Sequence, residues 1–163
     1  MNANNFSPWH LWERRDHASG LEFPGVYCVA ISSIDLSGVP FSWRLDIVYI
    51  GMTNASAGLR GRLRQFDNTI AGKRGHGGAD RVRYKHQEYD KLCPKLFVAV
   101  AACPCDVSTG SPTDLRIMGT VAGFEYECFA QYAEIFGRLP EFNDKRQSRK
   151  YSLTIGRGEV DAS

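Results

Sequence analysis

The run from Leu96 to Cys103 is apolar at every position, and it constrains the fold of this chain more than any other feature. A strand that is apolar on both faces has to be covered on both faces, so it belongs in the interior of a sheet. Two further β-rich runs, Val26–Ile31 and Asp46–Met52, lie on either side of a turn segment with Gly38 and Pro40. These two runs predict an antiparallel hairpin, and with the third they predict a small three-stranded sheet.

Helical periodicity covers two longer segments. Between Ala57 and Ala71 the apolar residues recur at helical spacing and form one stripe, which consists of Leu59, Leu63, Phe66 and Ile70. Between Leu115 and Phe136 a second stripe consists of Val121, Phe124, Cys128, Phe129, Tyr132, Ile135 and Phe136. Gly137 is expected to end this helix. The predicted fold class is therefore α+β, with a small central antiparallel three-stranded β-sheet flanked by helices.

A chain of 163 residues, 43% of them hydrophobic, has the size of one domain with a single core. We expect residues 1–163 to form that domain, with an N-terminal arm or short helix over 1–22 and a basic tail over 144–163. No apolar stretch approaches the ~20 residues of a membrane-spanning helix, and residues 1–15 lack an apolar signal core. Five cysteines without a Cys-x-x-Cys pair favour reduced thiols, so a cytoplasmic protein without membrane contact is expected. A zinc site at Cys93, Cys103 and Cys105 is the minor alternative.

Positive charge is concentrated in the middle of the chain. The formal net charge is only +2, yet the segment from Arg60 to Lys85 has eight basic and two acidic residues. Its basic residues are Arg60, Arg62, Arg64, Lys73, Arg74, Arg81, Arg83 and Lys85. Such a local field on a nearly neutral protein favours a polyanionic partner, and the loop Gly72–Gly78 with His76 favours phosphate groups. A solvated basic face without a partner remains the alternative.

Two charged residues are predicted to face inward. Helical geometry places Arg62 on the shoulder of the first stripe, beside Phe66, and Glu125 in the middle of the second stripe. An ionised carboxylate on an apolar face is costly unless it is paired, hydrogen-bonded or bound to a metal. Glu125 is therefore either a functional carboxylate or half of a buried ion pair, for which Arg62 is the natural partner.

The order of these features resembles the GIY-YIG nuclease family. The first two strands contain Gly25-Val26-Tyr27 and Val48-Tyr49-Ile50-Gly51, and the helix with Arg62, the helix with Glu125 and then Asn143 follow. The resemblance covers most of the chain. It implies a metal-dependent endonuclease that hydrolyses DNA phosphodiester bonds and leaves 5′-phosphate and 3′-hydroxyl ends.

The resemblance also implies a role for each matching residue. Tyr27 corresponds to the general base, and Tyr49 would position the water or the phosphate. Arg62 would stabilise the phosphate charge, and Glu125 would bind one divalent cation, Mg²⁺ or Mn²⁺. Asn143 would contact phosphate or hold hydrogen bonds of the active site. By the charge argument above, Arg60, Arg64, Lys73, Arg74, His76, Arg81, Arg83 and Lys85 would contact duplex or branched DNA.

Three departures from the family pattern affect these expectations. Tyr27 and Tyr49 are 22 residues apart, which resembles the insertions of its restriction-enzyme and structure-specific branches. Met52 and Phe66 stand where members of the family often have residues that bind phosphate or transfer protons. We therefore predict that His76 or Lys73 reaches over the site as a substitute. An inactive nucleic-acid-binding module of the same fold is the alternative, and cutting both strands would need a homodimer or a partner protein.

Overall fold

A four-stranded antiparallel sheet forms the centre of the computed structural model, which describes residues 1–151. The strands, numbered β1 to β4 in chain order, are His10–Leu11, Gly25–Ile31, Ile47–Thr53 and Leu96–Ala102. Their order across the sheet is β1-β4-β2-β3, and every pairing is antiparallel. The α+β class, the β2–β3 hairpin and the interior position of β4 are thus confirmed.

The predicted count of three strands is wrong because β1 covers the outer side of β4. His10 pairs with Val98 and Leu11 with Phe97, a strand of two residues that is too short to leave a periodic pattern in the sequence. A 3₁₀ helix, Trp12–His17, follows, and the side chains of Trp9 and Trp12 are 0% exposed. Of the two alternatives expected for residues 1–22, an arm or a short helix, the structure has a short helix, and Trp9 and Trp12 anchor this segment in the core.

The helices of the described residues, numbered α1 to α4, are Gly58–Ile70, Gly77–Lys85, Tyr89–Leu92 and Pro112–Phe136. The first and last confirm the two predicted helices to within a few residues. Gly137 follows α4 with a φ of +70° and ends it, as predicted.

Helix α2 begins inside the segment predicted as a glycine-rich loop. Gly77 and Gly78 are its first two residues, and glycine is a poor helix former. The helix begins there because His76 caps it, accepting a hydrogen bond from the backbone N–H of Ala79.

Two apolar clusters cover the two faces of the sheet. Tyr27 and Val29 of β2 face α1 and α2, where the whole predicted stripe of α1 is buried. The alternate residues of β2, Val26, Cys28 and Ala30, face α4 instead. Four residues of the predicted α4 stripe are buried, namely Val121, Phe124, Cys128 and Tyr132. Ile135, in the last turn of α4, is 55% exposed.

The remaining sequence predictions concern membranes and metals. None of the helices within residues 1–151 combines the length and apolar character needed to cross a bilayer. All five cysteines are free thiols. Within the same residues no group of three or more His, Cys, Asp or Glu side chains is placed to hold a metal ion, so no cysteine-based zinc site forms there.

Candidate active site

Two tyrosines lie side by side on the face of the sheet that α1 and α2 cover. Tyr27 on β2 is paired with Gly51 on β3, and Tyr49 is paired with Val29, so the two rings are diagonal neighbours with centroids 6.0 Å apart. Gly51 makes this possible. A Cβ at position 51 would lie 2.7 Å from the Tyr27 hydroxyl and 2.8 Å from the Tyr49 ring, so any other residue would push the phenols apart.

His76 fixes the position of the Tyr27 phenol. Its Nε2 lies 2.7 Å from the Tyr27 hydroxyl, and its Nδ1 accepts the hydrogen bond from Ala79 at 3.1 Å. A nitrogen that accepts a hydrogen bond carries no proton, so the proton of the neutral ring is on Nε2 and is donated to Tyr27. Burial lowers the pKa of His76 to about 3, helped by the positive charge of Arg62, so the ring is neutral at physiological pH.

Phe66 supports this arrangement from α1. Its ring lies edge-on to His76 with centroids 4.9 Å apart and is tilted against Tyr49 at 5.7 Å. Phe66 stands at the position where the family pattern favours a proton-transferring residue, and its ring packs against His76. His76 itself is 2% exposed, so it lies inside the site and is not a surface contact for DNA. Lys73, the other predicted substitute, is exposed on the loop.

Arg62 lies at the edge of the tyrosine pair, where its inward position was predicted. Its Nη1 donates to Oε1 of Gln65 at 2.7 Å, while its Nε is buried without a hydrogen-bond partner among residues 1–151. Burial raises the pKa of both phenols, that of Tyr27 well above its usual range. The charge of Arg62 opposes this rise in the pKa of both Tyr27 and Tyr49. Arg62 is therefore close enough to favour a phenolate.

Glu125 approaches the cluster from the other side of the sheet. Helix α4 packs on the opposite face, and Glu125 lies half-buried beside the edge strand β3. Burial raises the pKa of Glu125, while the charge of Arg62 and hydrogen bonding from the Met52 backbone oppose the rise. No ion pair within 4.0 Å joins Glu125 to Arg62, so the predicted alternative of a structural salt bridge lacks its contact.

The surroundings of Glu125 suit a hard divalent cation. A carboxylate whose pKa is raised by burial has lost hydration that its neighbours do not fully replace, and a bound cation offsets that loss. One carboxylate, completed by water and phosphate oxygens, is a donor set that Mg²⁺ and Mn²⁺ accept. Glu125 is the residue that would hold the ion.

Asn143 holds the edge strand. Its Oδ1 accepts a hydrogen bond from the backbone N–H of Ile50, and its Nδ2 donates to the carbonyl of Ile50, both at 2.8 Å. The backbone N–H of Phe142 also donates to the carbonyl of Val48 at 2.9 Å. Both polar atoms of Asn143 thus bind the backbone next to Tyr49 and neither points to a ligand, which is as expected of a residue that stabilises a turn as of one that holds hydrogen bonds around the site.

No family model, curated protein or solved structure matches this chain. Its resemblance to GIY-YIG nucleases therefore depends on the residues and contacts described above. Of the residues predicted for the site, Tyr27 and Tyr49 are in ring contact, and the charges of Arg62 and Glu125 shift the pKa of Tyr49 in opposite directions.

Arg81 is the residue whose position the sequence did not indicate. It was predicted as one of the DNA contacts, but α2 places its charge where it lowers the pKa of Tyr49. Its Nη1 donates to the carbonyl of Gly77 at 3.0 Å, and its Nε is buried without a partner in the described part of the chain. The position of Arg81 could have been predicted only from helix α2, and the two glycines at its start kept that helix from being predicted.

The other predicted DNA contacts lie on the surface, and several are engaged. Arg60 pairs with Asp16 at 3.3 Å, and Lys85 with Glu141 at 2.7 Å. Arg83 donates to the carbonyl of Gly72 and stacks on a tyrosine ring near the end of the described residues. Besides Arg60, the exposed basic side chains on α1 and the following loop are Arg64, Lys73 and Arg74. The predicted basic tail begins with exposed Lys145 and Arg146, and residues 152–163 lie outside the described part of the chain.

Proposed function

We propose that this protein is a divalent-metal-dependent endonuclease of the GIY-YIG type that hydrolyses DNA phosphodiester bonds and leaves 5′-phosphate and 3′-hydroxyl ends. The observation that carries the proposal is the convergence of two phenols, a guanidinium and a carboxylate at one edge of the sheet. Phosphodiester hydrolysis needs a base for water, positive charge around the phosphate and support for the leaving oxygen.

Tyr27 is the candidate base. A phenol acts as a base only when it is ionised, and burial disfavours that state here. Two groups favour the phenolate, namely the N–H of His76, which donates to its oxygen, and the charge of Arg62. Tyr49, which is partly exposed, would position the water or the phosphate.

The remaining charges would act on the phosphate. Arg62 can donate to non-bridging oxygens through its Nε, which gains a hydrogen bond as negative charge develops. A divalent cation bound by Glu125 would neutralise charge on the departing 3′ oxygen. Asn143 would keep β3, and with it Tyr49, in register during the reaction.

The charge distribution supports a nucleic acid as the substrate, and the family resemblance implies that it is DNA. The exposed basic residues of the segment from Arg60 to Lys85 would bind phosphates along a duplex or branched substrate. Such phosphate contacts carry no information on the base sequence of the substrate. A single site cuts one strand, and a double-strand break would require a second copy or a partner protein. Restriction, repair and mobile-element functions all fit such an activity.

Plasmid cleavage tests the proposal. Supercoiled plasmid is incubated with Mg²⁺, Mn²⁺ or EDTA and with wild-type protein or the variants Glu125→Ala, Tyr27→Phe and Arg62→Met. We expect metal-dependent nicking by the wild type and a loss of at least about a hundredfold in each variant. Glu134→Ala is the matched control, because Glu134 is an exposed carboxylate on the same helix.

Other outcomes have definite meanings. Salt-sensitive DNA binding without cleavage in any metal would favour the inactive binding module, to which Met52 and Phe66 point. Cleavage that survives Glu125→Ala and Tyr27→Phe would contradict the proposed site. Equal loss in Glu134→Ala would show that the assay reports folding rather than chemistry.

A further inference from the structure

We propose that Arg81 is a second anion-binding arginine of this site, so that the guanidinium groups of Arg62 and Arg81 together bind a phosphate-type anion beside Tyr49. The identification of that anion as a DNA phosphate rests on the proposed function. The existence of the anion site does not.

The first argument is position. Helix α2 starts against the Tyr49 ring, since a Cβ on Gly78 would lie 2.2 Å from a ring carbon. Arg81 turns back toward this start, and its Nη1 donates to the carbonyl of Gly77 at 3.0 Å. Its guanidinium is therefore held on the side of α2 that meets the tyrosine. The charges of Arg62 and Arg81 both act on the Tyr49 phenol, which fits this placement.

The second argument is the unfilled bonding capacity of both arginines. Each Nε is buried without a hydrogen-bond partner among the described residues. Each guanidinium is anchored instead by a neutral acceptor, the Gln65 side chain for Arg62 and the Gly77 carbonyl for Arg81. A buried donor without a partner is costly and uncommon, and it marks a place where a ligand or water completes the structure.

Two other half-buried arginines, Arg15 and Arg44, are paired with carboxylates, in contrast to Arg62 and Arg81. Arg15 lies 3.0 Å from Asp67, and Arg44 binds both carboxylate oxygens of Asp46 at 2.8 Å. Within residues 1–151 neither Arg62 nor Arg81 has a carboxylate within 4.0 Å. Both guanidinium groups are thus fixed in place, partly desolvated and not paired with a carboxylate in that range. Such groups are suited to bind an anion through charge-assisted hydrogen bonds.

The third argument is access. Arg81 lines a cavity of about 240 Å³ between α2 and the segment after α4, together with Tyr84, Lys85, Phe142 and Arg149. The lining has three basic residues and one acidic residue, Glu141, which is paired with Lys85, and half-buried Tyr84 offers a ring on which a base can stack. The cavity therefore gives a nucleic-acid strand access to Arg81.

Titration with inorganic pyrophosphate tests the anion site without relying on cleavage. Isothermal titration calorimetry at low salt, without metal, would compare the wild type with Arg81→Met, Arg62→Met and the control Arg14→Met, an exposed arginine of the N-terminal segment. We expect each of the first two substitutions to weaken binding by about tenfold to a hundredfold and the control to leave it unchanged. Arg81→Lys keeps the charge but not the fork, and should weaken binding by less.

Plasmid cleavage is measured on the same variants, and thermal unfolding verifies that each is folded. Should Arg81→Met fail to fold, Arg81→Lys decides by the same comparison. Equal pyrophosphate affinity in wild type and Arg81 variants, or no measurable binding by the wild type at millimolar concentrations, would overturn the two-arginine site whatever the plasmid shows. Weaker pyrophosphate binding in the Arg81 variants, with plasmid uncut by the wild type, would support the anion site and reject hydrolysis.

Discussion

His76 uses its two ring nitrogens for two different purposes. Nδ1 accepts the backbone N–H that begins α2, and Nε2 donates to the hydroxyl of Tyr27. The cap therefore sets the tautomer that the tyrosine requires, because protonation of Nδ1 would break the first bond of the helix. A pKa of about 3 keeps this arrangement intact across the physiological range.

Glu125 should reduce the stability of the folded protein at neutral pH. Burial raises its pKa above the ordinary value of 4.5, so the folded state retains the proton to higher pH than the unfolded chain. Stability therefore falls as the pH rises through that interval, and it stays lower above it. We expect Glu125→Gln to raise the midpoint of thermal unfolding at neutral pH and to match the wild type near about pH 4.

A lower melting midpoint for Glu125→Gln would instead support a structural salt bridge between Glu125 and Arg62. If the two residues form a stabilising pair, Glu125→Gln lowers the midpoint at neutral pH, because a buried charge loses its partner. Glu134→Gln, on the exposed side of α4, provides the baseline for both outcomes.

The sequence predicted the positions of Arg62 and Glu125 better than those of His76 and Arg81. Angular position on a long helix was enough to turn Arg62 and Glu125 inward. No such rule applied to His76, which lies in an irregular segment, or to Arg81, whose helix was not predicted. Asn143 was found by resemblance, but its pairing with the Ile50 backbone depends on how the chain returns after α4.

Among the elements, α2 positions the residues that the sequence pattern did not place. It brings Gly78 and Arg81 to the tyrosine pair, together with His76, one of the two predicted substitutes, although it has only nine residues and starts with two glycines. Tertiary contact and the cap outweigh low helix propensity there. The strands and the two long helices were predictable because their patterns extend over seven or more residues, whereas the two residues of β1 are recognisable only by their partners on β4.

Gly78→Ala should disturb the site through this helix. The added Cβ would meet the Tyr49 ring at 2.2 Å, so the ring or the helix has to move. We expect a loss of about 1–3 kcal/mol in the free energy of unfolding and reduced cleavage. Gly119→Ala on α4 is the matched control, since no described residue lies within 4 Å of its Cβ and helix propensity should stabilise it by up to about 1 kcal/mol. Urea unfolding measures both, and equal stability of the two variants would contradict the close packing.

For the whole molecule, the uneven distribution of charge has a measurable consequence. If the exposed loop after α1 binds DNA phosphates, replacing Lys73 and Arg74 by glutamine should weaken binding of all sequences alike. The slope of log affinity against log salt should become shallower by about 1 for each phosphate that the protein no longer neutralises. Lys91→Gln, at an exposed lysine paired with Glu88, should leave the slope unchanged. An unchanged slope in the double variant would place the DNA on another face.

The hydrogen bonds of Phe142 and Asn143 to β3 also cover an edge of the sheet. An open sheet invites edge-to-edge association with another chain, the first step of many aggregates. Here the β3 edge is occupied by the chain's own residues, and the opposite edge, β1, has only two residues to offer. Two molecules that joined their sheets at β3 would first have to release Asn143 from Ile50, so self-association through that edge would disturb the strand that carries Tyr49.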